Sequence, residues 1–246
     1  MVGMKISGWK NISMIDVKGA VTFTLWLCGC NLRCPFCHNW RIADGLDCKD
    51  LDKDAFLMEL VLSKKYIDYL HVTGGEPLLQ WRELIDLFKD VKNLNIRISL
   101  NSNLTLTKPL KKILNKELID HIATDLKAPP EKLYGVSSWN KFWASFLDSL
   151  EIISEYNIPL ELRIPVIKGF SGWERYFNEA FNVLKYDNFY IILNPILGPP
   201  ITDPRDREWC IKYCNPSKND INKVKSFIEK LGISKIFIAY QSTISL

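Results

Sequence analysis

The stretch FTLWLCGCNLRCPFCHNW, Phe23 to Trp40, sets an apolar run directly before four cysteines packed into ten residues. Extended back to residue 20, the run AVTFTLWL (20–27) is rich in β-branched and aromatic residues, the composition of a buried strand. A strand that ends in crowded thiols places reactive groups where a loop begins.

Working outward, strand-like and helix-like segments alternate. After Asp52, the run KDAFLMELVLSKK carries Phe56, Leu57, Leu60 and Val61 at helical spacing behind an aspartate cap. IDYLHVTGG (67–75) reads as a strand ending in two glycines, WRELIDLFKDV (81–91) as a helix and IRISLNSN (96–103) as a strand. A helix near 107–116, a strand at 120–126, a helix near 138–155 and a strand at 160–167 continue the rhythm. A helix near 172–184 and a strand at 189–194 follow, then the helix NDINKVKSFIEKLG (219–232) with its glycine stop and the strand SKIFIAY (234–240). Trp139, Phe142, Trp143 and Phe146 fall at helical spacing and read as core.

Such alternation predicts a parallel sheet with crossover helices. About six βα units without a composition break predict one α/β domain over residues 1–246, a partial or full parallel (β/α) barrel. Chemistry in these folds gathers at strand ends, where every motif below falls. The segment NPILGPPITDPRDREWCIKYCNPS (194–217), with five prolines, reads as a long irregular loop, a lid or partner-recognition segment.

At 47% hydrophobic and 24% charged, the 246 residues are globular in composition rather than disordered. The formal charge of +4 permits an acidic partner but comes without a concentrated basic face, so nucleic acid is not indicated. No apolar run is long enough to span a membrane, and the start MVGMKISGWKNISMID lacks a signal-peptide core, so the chain reads as cytoplasmic. In a reducing compartment clustered cysteines are metal ligands or redox groups before they are disulfides, and an odd count of seven weighs further against a disulfide framework.

Cys30, Cys34 and Cys37 have the spacing C-x3-C-x2-C. Three thiolates from one loop can hold three irons of a 4Fe–4S cluster, leaving the fourth open to a substrate or cofactor. The competing reading is a structural zinc site that recruits Cys28 and His38. The spacing is not the paired C-x2-C of a zinc ribbon, and Cys28 reads as a packing residue or bystander. Cys210 and Cys214, four apart, could bind metal or form a redox pair, but read as structural or reactive bystanders. No role for Cys48 is legible.

The C-x3-C-x2-C run, with aromatic Phe36 before its last cysteine, resembles the radical S-adenosylmethionine (SAM) superfamily. TGGEP (73–77) resembles the segment with which that superfamily binds the methionine amino group; Gly74 and Gly75 would let backbone approach, and Glu76 would offer a carboxylate to the ammonium. Ile15-Asp16, Gly19, Gly29-Cys30-Asn31, Cys37-His38-Asn39, DLKAP (125–129) and LRIPVIKGF (162–170) further resemble the glycyl-radical-enzyme activases, those of anaerobic ribonucleotide reductase and pyruvate formate-lyase. The resemblance fades after about residue 170.

It implies a 4Fe–4S cluster that passes one electron to the sulfonium of SAM. Methionine and a 5′-deoxyadenosyl radical result, and the radical takes a hydrogen from a glycine of a partner enzyme. The implied partners are a glycyl-radical enzyme and an external donor such as flavodoxin or ferredoxin, under anaerobic conditions. Asn101, Ser102 and Asn103 would meet the ribose, Asp125 and Lys127 would face the cavity together, Arg163 would hold the methionine carboxylate through two bonds, and Asn194 would touch the adenine. Each is otherwise an ordinary polar residue at a strand end. His38 would sit beside the cluster or anchor its loop. The alternative within the superfamily is an enzyme acting on a small molecule or modified nucleoside, as the deazapurine-forming members do, which generally carry Asp-Thr where this chain has His38-Asn39. Outside it stands a zinc-stabilised binding module.

Overall fold

The computed structural model describes residues 3–169 and 171–239. Among the described residues nine strands form one sheet: β1 Lys5–Ser13, β2 Thr22–Leu27, β3 Lys49–Asp50, β4 Tyr69–Gly74, β5 Arg97–Asn101, β6 His121–Asp125, β7 Leu160–Val166, β8 Phe189–Pro195 and β9 Ile236–Ile238. Their order is β3-β1-β2-β4-β5-β6-β7-β8-β9. From β2 to β9 every pairing is parallel, while β1 pairs antiparallel with both β2 and β3. The expected parallel α/β architecture is present, as a partial barrel with edges at β3 and β9. The last expected strand is shorter than 234–240, and Tyr240 and Phe170 lie outside the described residues.

The helices are α1 Trp40–Ala43, α2 Lys53–Ser63, α3 Trp81–Asn93, α4 Thr107–Leu114, α5 Pro130–Leu133, α6 Trp139–Glu155, α7 Glu174–Val183, α8 Arg207–Tyr213 and α9 Lys218–Lys230. The Asp52 cap is real: its carboxylate accepts from the amide of Ala55 at 3.1 Å, a bond worth about 1 kcal/mol. Phe56 of α2 meets Phe23 of β2 edge to face, 5.5 Å between centroids, pinning the first crossover helix to the strand that leads into the cysteines. In α6, Trp143 and Phe146 are buried and stacked, with Trp139 and Phe142 packed partly against the core, as their spacing predicted.

Two regions depart most from the sequence reading. β1 and β3 add an antiparallel margin; KISGWKNIS mixes charged residues and glycine into a strand buried only at Ile6 and Ser13, so its pattern is faint. Segment 194–217 is not wholly irregular either. Its first two residues end β8, and α8 forms within it, capped where the carboxylate of Asp206 accepts from the amide of Trp209 at 2.8 Å. The segment is a folded strap. Asn215 N bonds Ile196 O at 2.8 Å, closing its base, and Lys168 N bonds Tyr213 O at 2.8 Å.

The disulfide reading is also corrected. Cys28 is bridged to Cys48, and Cys210 to Cys214, with Cα–Cα distances of 6.2 and 4.8 Å. The first pair is twenty residues apart and meets only because the chain doubles back after α1, which spacing alone does not reveal. The odd count is no obstacle, since Cys30, Cys34 and Cys37 remain free. Cys28 lies just beyond the end of β2 and is buried, held by its bridge to Cys48.

Candidate active site

The strand ends converge on a cavity of about 220 Å³. Cys30, Leu32, Cys34, Phe36, Cys37, His38 and Asn39 form one wall; Thr73, Gly74, Gly75, Asn101, Ser102 and Asn103 come from the ends of β4 and β5. Asp125, Lys127, Arg163, Pro165, Asn194 and Ile196 complete it from β6, β7 and β8. Every candidate site residue read from the sequence reaches this cavity except Glu76.

The glycines act through closeness. A Cβ on Gly74 would stand 2.1 Å from the carbonyl oxygen of Leu27, and one on Gly75 2.1 Å from that of Gly29. Gly74 also has φ +126°, open to glycine almost alone. That contact lets Gly75 N bond Leu27 O at 2.8 Å and Glu76 N bond Gly29 O at 2.7 Å, locking the β4 loop to the cysteine loop.

Glu76 sits behind the wall, fully buried. Its carboxylate accepts from the amide of Leu78 at 2.9 Å, the hydroxyl of Ser102 at 2.8 Å and the amide of Asn103 at 2.6 Å. Burial pushes its pKa up against those donors. The expectation that it meets an ammonium is corrected: protein donors occupy it, and it ties the β4 loop to the β5 loop. Ser102 and Asn103 are drawn into the same brace. Ser102 Oγ also accepts from Leu104 N, while Asn103 Nδ2 donates to Asn31 Oδ1 at 2.9 Å and reaches Cys30 Sγ at 3.8 Å. Asn101 donates to Thr73 Oγ1 at 3.0 Å.

Asp125 and Lys127 pair at 2.9 Å on the cavity wall. Burial works against both charges, but each holds the other ionised: Asp125 is lowered and Lys127 raised, the latter helped by Cys34. Lys127 stands just past the end of β6, where Leu126 N bonds Arg163 O at 2.7 Å. Arg163 lines the cavity as expected, with one edge of its guanidinium already taken. Its Nε donates to Glu161 at 2.5 Å and its Nη2 to the carbonyl of Asp16, so a two-bond grip on a ligand carboxylate is not open to that edge. Sequence reasoning assigned no role to Leu32, Asn39, Thr73, Pro165 or Ile196, although the first four lay inside the quoted motifs. Asn39 Nδ2 donates to Gly74 O at 3.4 Å, a further tie across the cavity mouth.

The three free thiols are largely desolvated. Burial pushes Cys30 up to about 11 and Cys34 to about 12, and raises Cys37 as well. Such thiols ionise only when a cation takes the proton's place, as a metal does. Among the described residues no three His, Cys, Asp or Glu side chains converge on one point as a single ion needs. Thiols spread along one cavity wall suit a cluster, in which each iron takes its own sulfur. The donor set fits a 4Fe–4S cluster.

The radical SAM superfamily model matches residues 25–177, more than half of the chain, and the chain belongs to that superfamily, whose members use a 4Fe–4S cluster and SAM. A protein of Methanocaldococcus jannaschii named a glycyl-radical enzyme activating enzyme is 26% identical over 131 residues, 52% of each chain. Pyruvate formate-lyase-activating enzyme of Clostridium pasteurianum is 33% identical over 109 residues, 42% of this chain and 44% of the relative. A 7-carboxy-7-deazaguanine synthase of Hyperthermus butylicus is 33% identical over 96 residues, 38% of this chain and 39% of the relative. The chain thus matches about half the length of these relatives, or less. Among solved structures, a radical SAM methyltransferase from Sphaerobacter thermophilus superposes with a TM-score of 0.67 at 14% identity, covering 94% of this chain and 69% of that one, a likeness of fold. Among the described residues no helix is long and apolar enough to cross a membrane.

Proposed function

We propose that this chain activates a glycyl-radical enzyme. The observation that carries the reading is the run Cys37-His38-Asn39 in the cavity wall beside the cluster thiols, the ending of the cysteine motif that resembles the activases. The similarity to two named activating enzymes supports it. When bound, the reduced cluster would supply the electron that breaks a sulfonium C–S bond of SAM, so that methionine leaves and the 5′-deoxyadenosyl radical takes a hydrogen atom from a glycine Cα. Cys30, Cys34 and Cys37 would hold three of its corners. The close-packed Gly74-Gly75 backbone and the charged Asp125–Lys127 pair would orient the zwitterionic end of SAM, and Asn194 would meet the adenine. The partner, and a flavodoxin- or ferredoxin-type donor, belong to this proposal.

A second reading, a small-molecule or nucleoside substrate, draws on the strap. Its amide Asp206 N bonds Pro35 O at 3.0 Å, closing one flank of the cysteine loop as a substrate cover would. The test loads the protein anaerobically with iron and sulfide, adds dithionite and SAM, and measures 5′-deoxyadenosine. The wild type and the double variant Cys28→Ala/Cys48→Ala form it; Cys30→Ala, Cys34→Ala and Cys37→Ala do not. Adding the glycyl-radical enzymes of the same genome yields a glycyl-radical signal by electron paramagnetic resonance. Abundant 5′-deoxyadenosine with no such signal on any of them would move the assignment to the second reading.

A further inference from the structure

Asn103, expected from the sequence to meet a ribose, turns its side chain to the cysteine loop instead. Its Oδ1 accepts from the amide of Thr105 at 3.0 Å and from the Thr105 hydroxyl at 2.6 Å. A backbone amide only donates, so that end of the carboxamide is the oxygen and the other is the NH2 group. Nδ2 gives one hydrogen to Asn31 Oδ1 at 2.9 Å and the second to Cys30 Sγ at 3.8 Å. Asn31 Nδ2 donates in turn to Thr105 Oγ1 at 2.7 Å, which closes a ring of three side chains. The backbone amide of Asn103 is held by Glu76 at 2.6 Å, so main chain and side chain are both fixed. Cys30 Sγ also accepts from Leu32 N at 3.4 Å, a bond within its own loop. Asn103 reaches the same sulfur from 73 residues away.

We propose that Asn103 is a positioning residue that favours reduction of the cluster by donating a hydrogen bond to the Cys30 sulfur. The reduced cluster carries one more negative charge than the oxidised one, and part of that charge falls on the sulfurs. A donor aimed at one of them therefore bonds the reduced form more strongly. The ring matters because an amide already oriented by Thr105 and Asn31 has no reorganisation to undergo when the electron arrives. The inference rests on the cluster being present, and goes beyond it by giving the end of β5 a part in setting the potential of the cluster.

The test is a redox titration of the loaded protein without SAM, followed by electron paramagnetic resonance, one electron entering per cluster from the titrant. Asn103→Ala lowers the equilibrium constant for reduction about fivefold, a drop of about 40 mV for one electron. Thr105→Val is the control. It removes the hydroxyl that bonds both asparagines and loosens the same ring, but the Thr105 amide still holds Asn103 toward the sulfur, so its potential stays near the wild type. An unmoved potential in Asn103→Ala at full iron content, or an equal drop in both variants, overturns the proposal. Should either variant fail to load iron, the wild type decides. With nitrogen-15 in its asparagine side chains, the reduced cluster shows a nitrogen-15 hyperfine coupling by pulsed electron paramagnetic resonance. That coupling persists in Asn31→Asp and in Asn39→Asp, which clear the asparagines next to the cysteines in sequence. No coupling, or one lost with either, overturns the proposal. A wild type that yields no reducible signal removes the cluster and this inference together.

Discussion

A carboxylate with no exposed surface has to balance its charge with protein donors, and Glu76 does so through two amides and one hydroxyl. Removing one partner of a buried hydrogen bond costs about 1–3 kcal/mol for each group left unsatisfied. Glu76→Ala is therefore expected to destabilise the apoprotein by about 3 kcal/mol or more, with Glu76→Gln, still an acceptor, costing less. Urea unfolding checks this, and a loss below about 1 kcal/mol for the alanine variant would show that water replaces the carboxylate at little cost. Arg163 teaches the same lesson in the other sign. Its partner Asp16 is 147 residues away, so nothing local in LRIPV announces that the guanidinium is already committed. The motifs named the right neighbourhood, and the donors and acceptors inside it were settled by loops far apart in the chain.

At the scale of elements, the strands with continuous apolar runs were legible, because a strand buried on both faces repeats one chemistry along its length. The helices announced themselves by spacing and caps, Asp52 among them. α8 did not: Pro199, Pro200 and Pro204 upstream masked it, although Asp206 caps it as Asp52 caps α2. The strap leans on the cysteine loop through the Trp209–Phe36 ring contact. An aromatic pair of this kind contributes about 0.5–1.5 kcal/mol. Trp209→Ala is expected to speed amide exchange across residues 205–214 by about tenfold, while exchange in the central strands stays put. Equal acceleration everywhere would mean that the strap is not a separable unit but part of the global fold.

At the scale of the molecule, the inside of the barrel below the cavity is polar. His71, Ser99 and His121 form one buried chain, with Ser99 Oγ 2.9 Å from His71 Nδ1 and 2.8 Å from His121 Nδ1. Lower down, Glu161 accepts from Lys18 N at 3.0 Å and from the Tyr190 hydroxyl at 2.5 Å, holding the 14–20 turn beneath the strands. In sequence these residues alternate with buried apolar ones and could not be told from ordinary strand positions. Burial brings His121 down to about 4, with Glu161 opposing and Arg163 assisting, and brings His71 to about 3. An unfolded histidine, near 6.5, therefore binds protons that the folded one refuses, so stability is intact above about pH 6.5 and falls as pH drops toward 4. Each imidazole contributes up to about 1.4 kcal/mol per pH unit in that window. Unfolding free energies between pH 6.5 and 4.5 should fall in the wild type and less steeply in His121→Gln; a flat wild-type profile would contradict neutral buried rings. The two disulfides have a consequence of another kind, in how the protein is put together. With Cys28 tied to Cys48 and Cys210 to Cys214, iron and sulfide reaching this chain meet three thiols and no decoys. Opened by a thiol reductant, the same chain offers seven competing sulfurs, so the sequence of handling, iron first and thiols after, decides whether loading makes one product or a mixture.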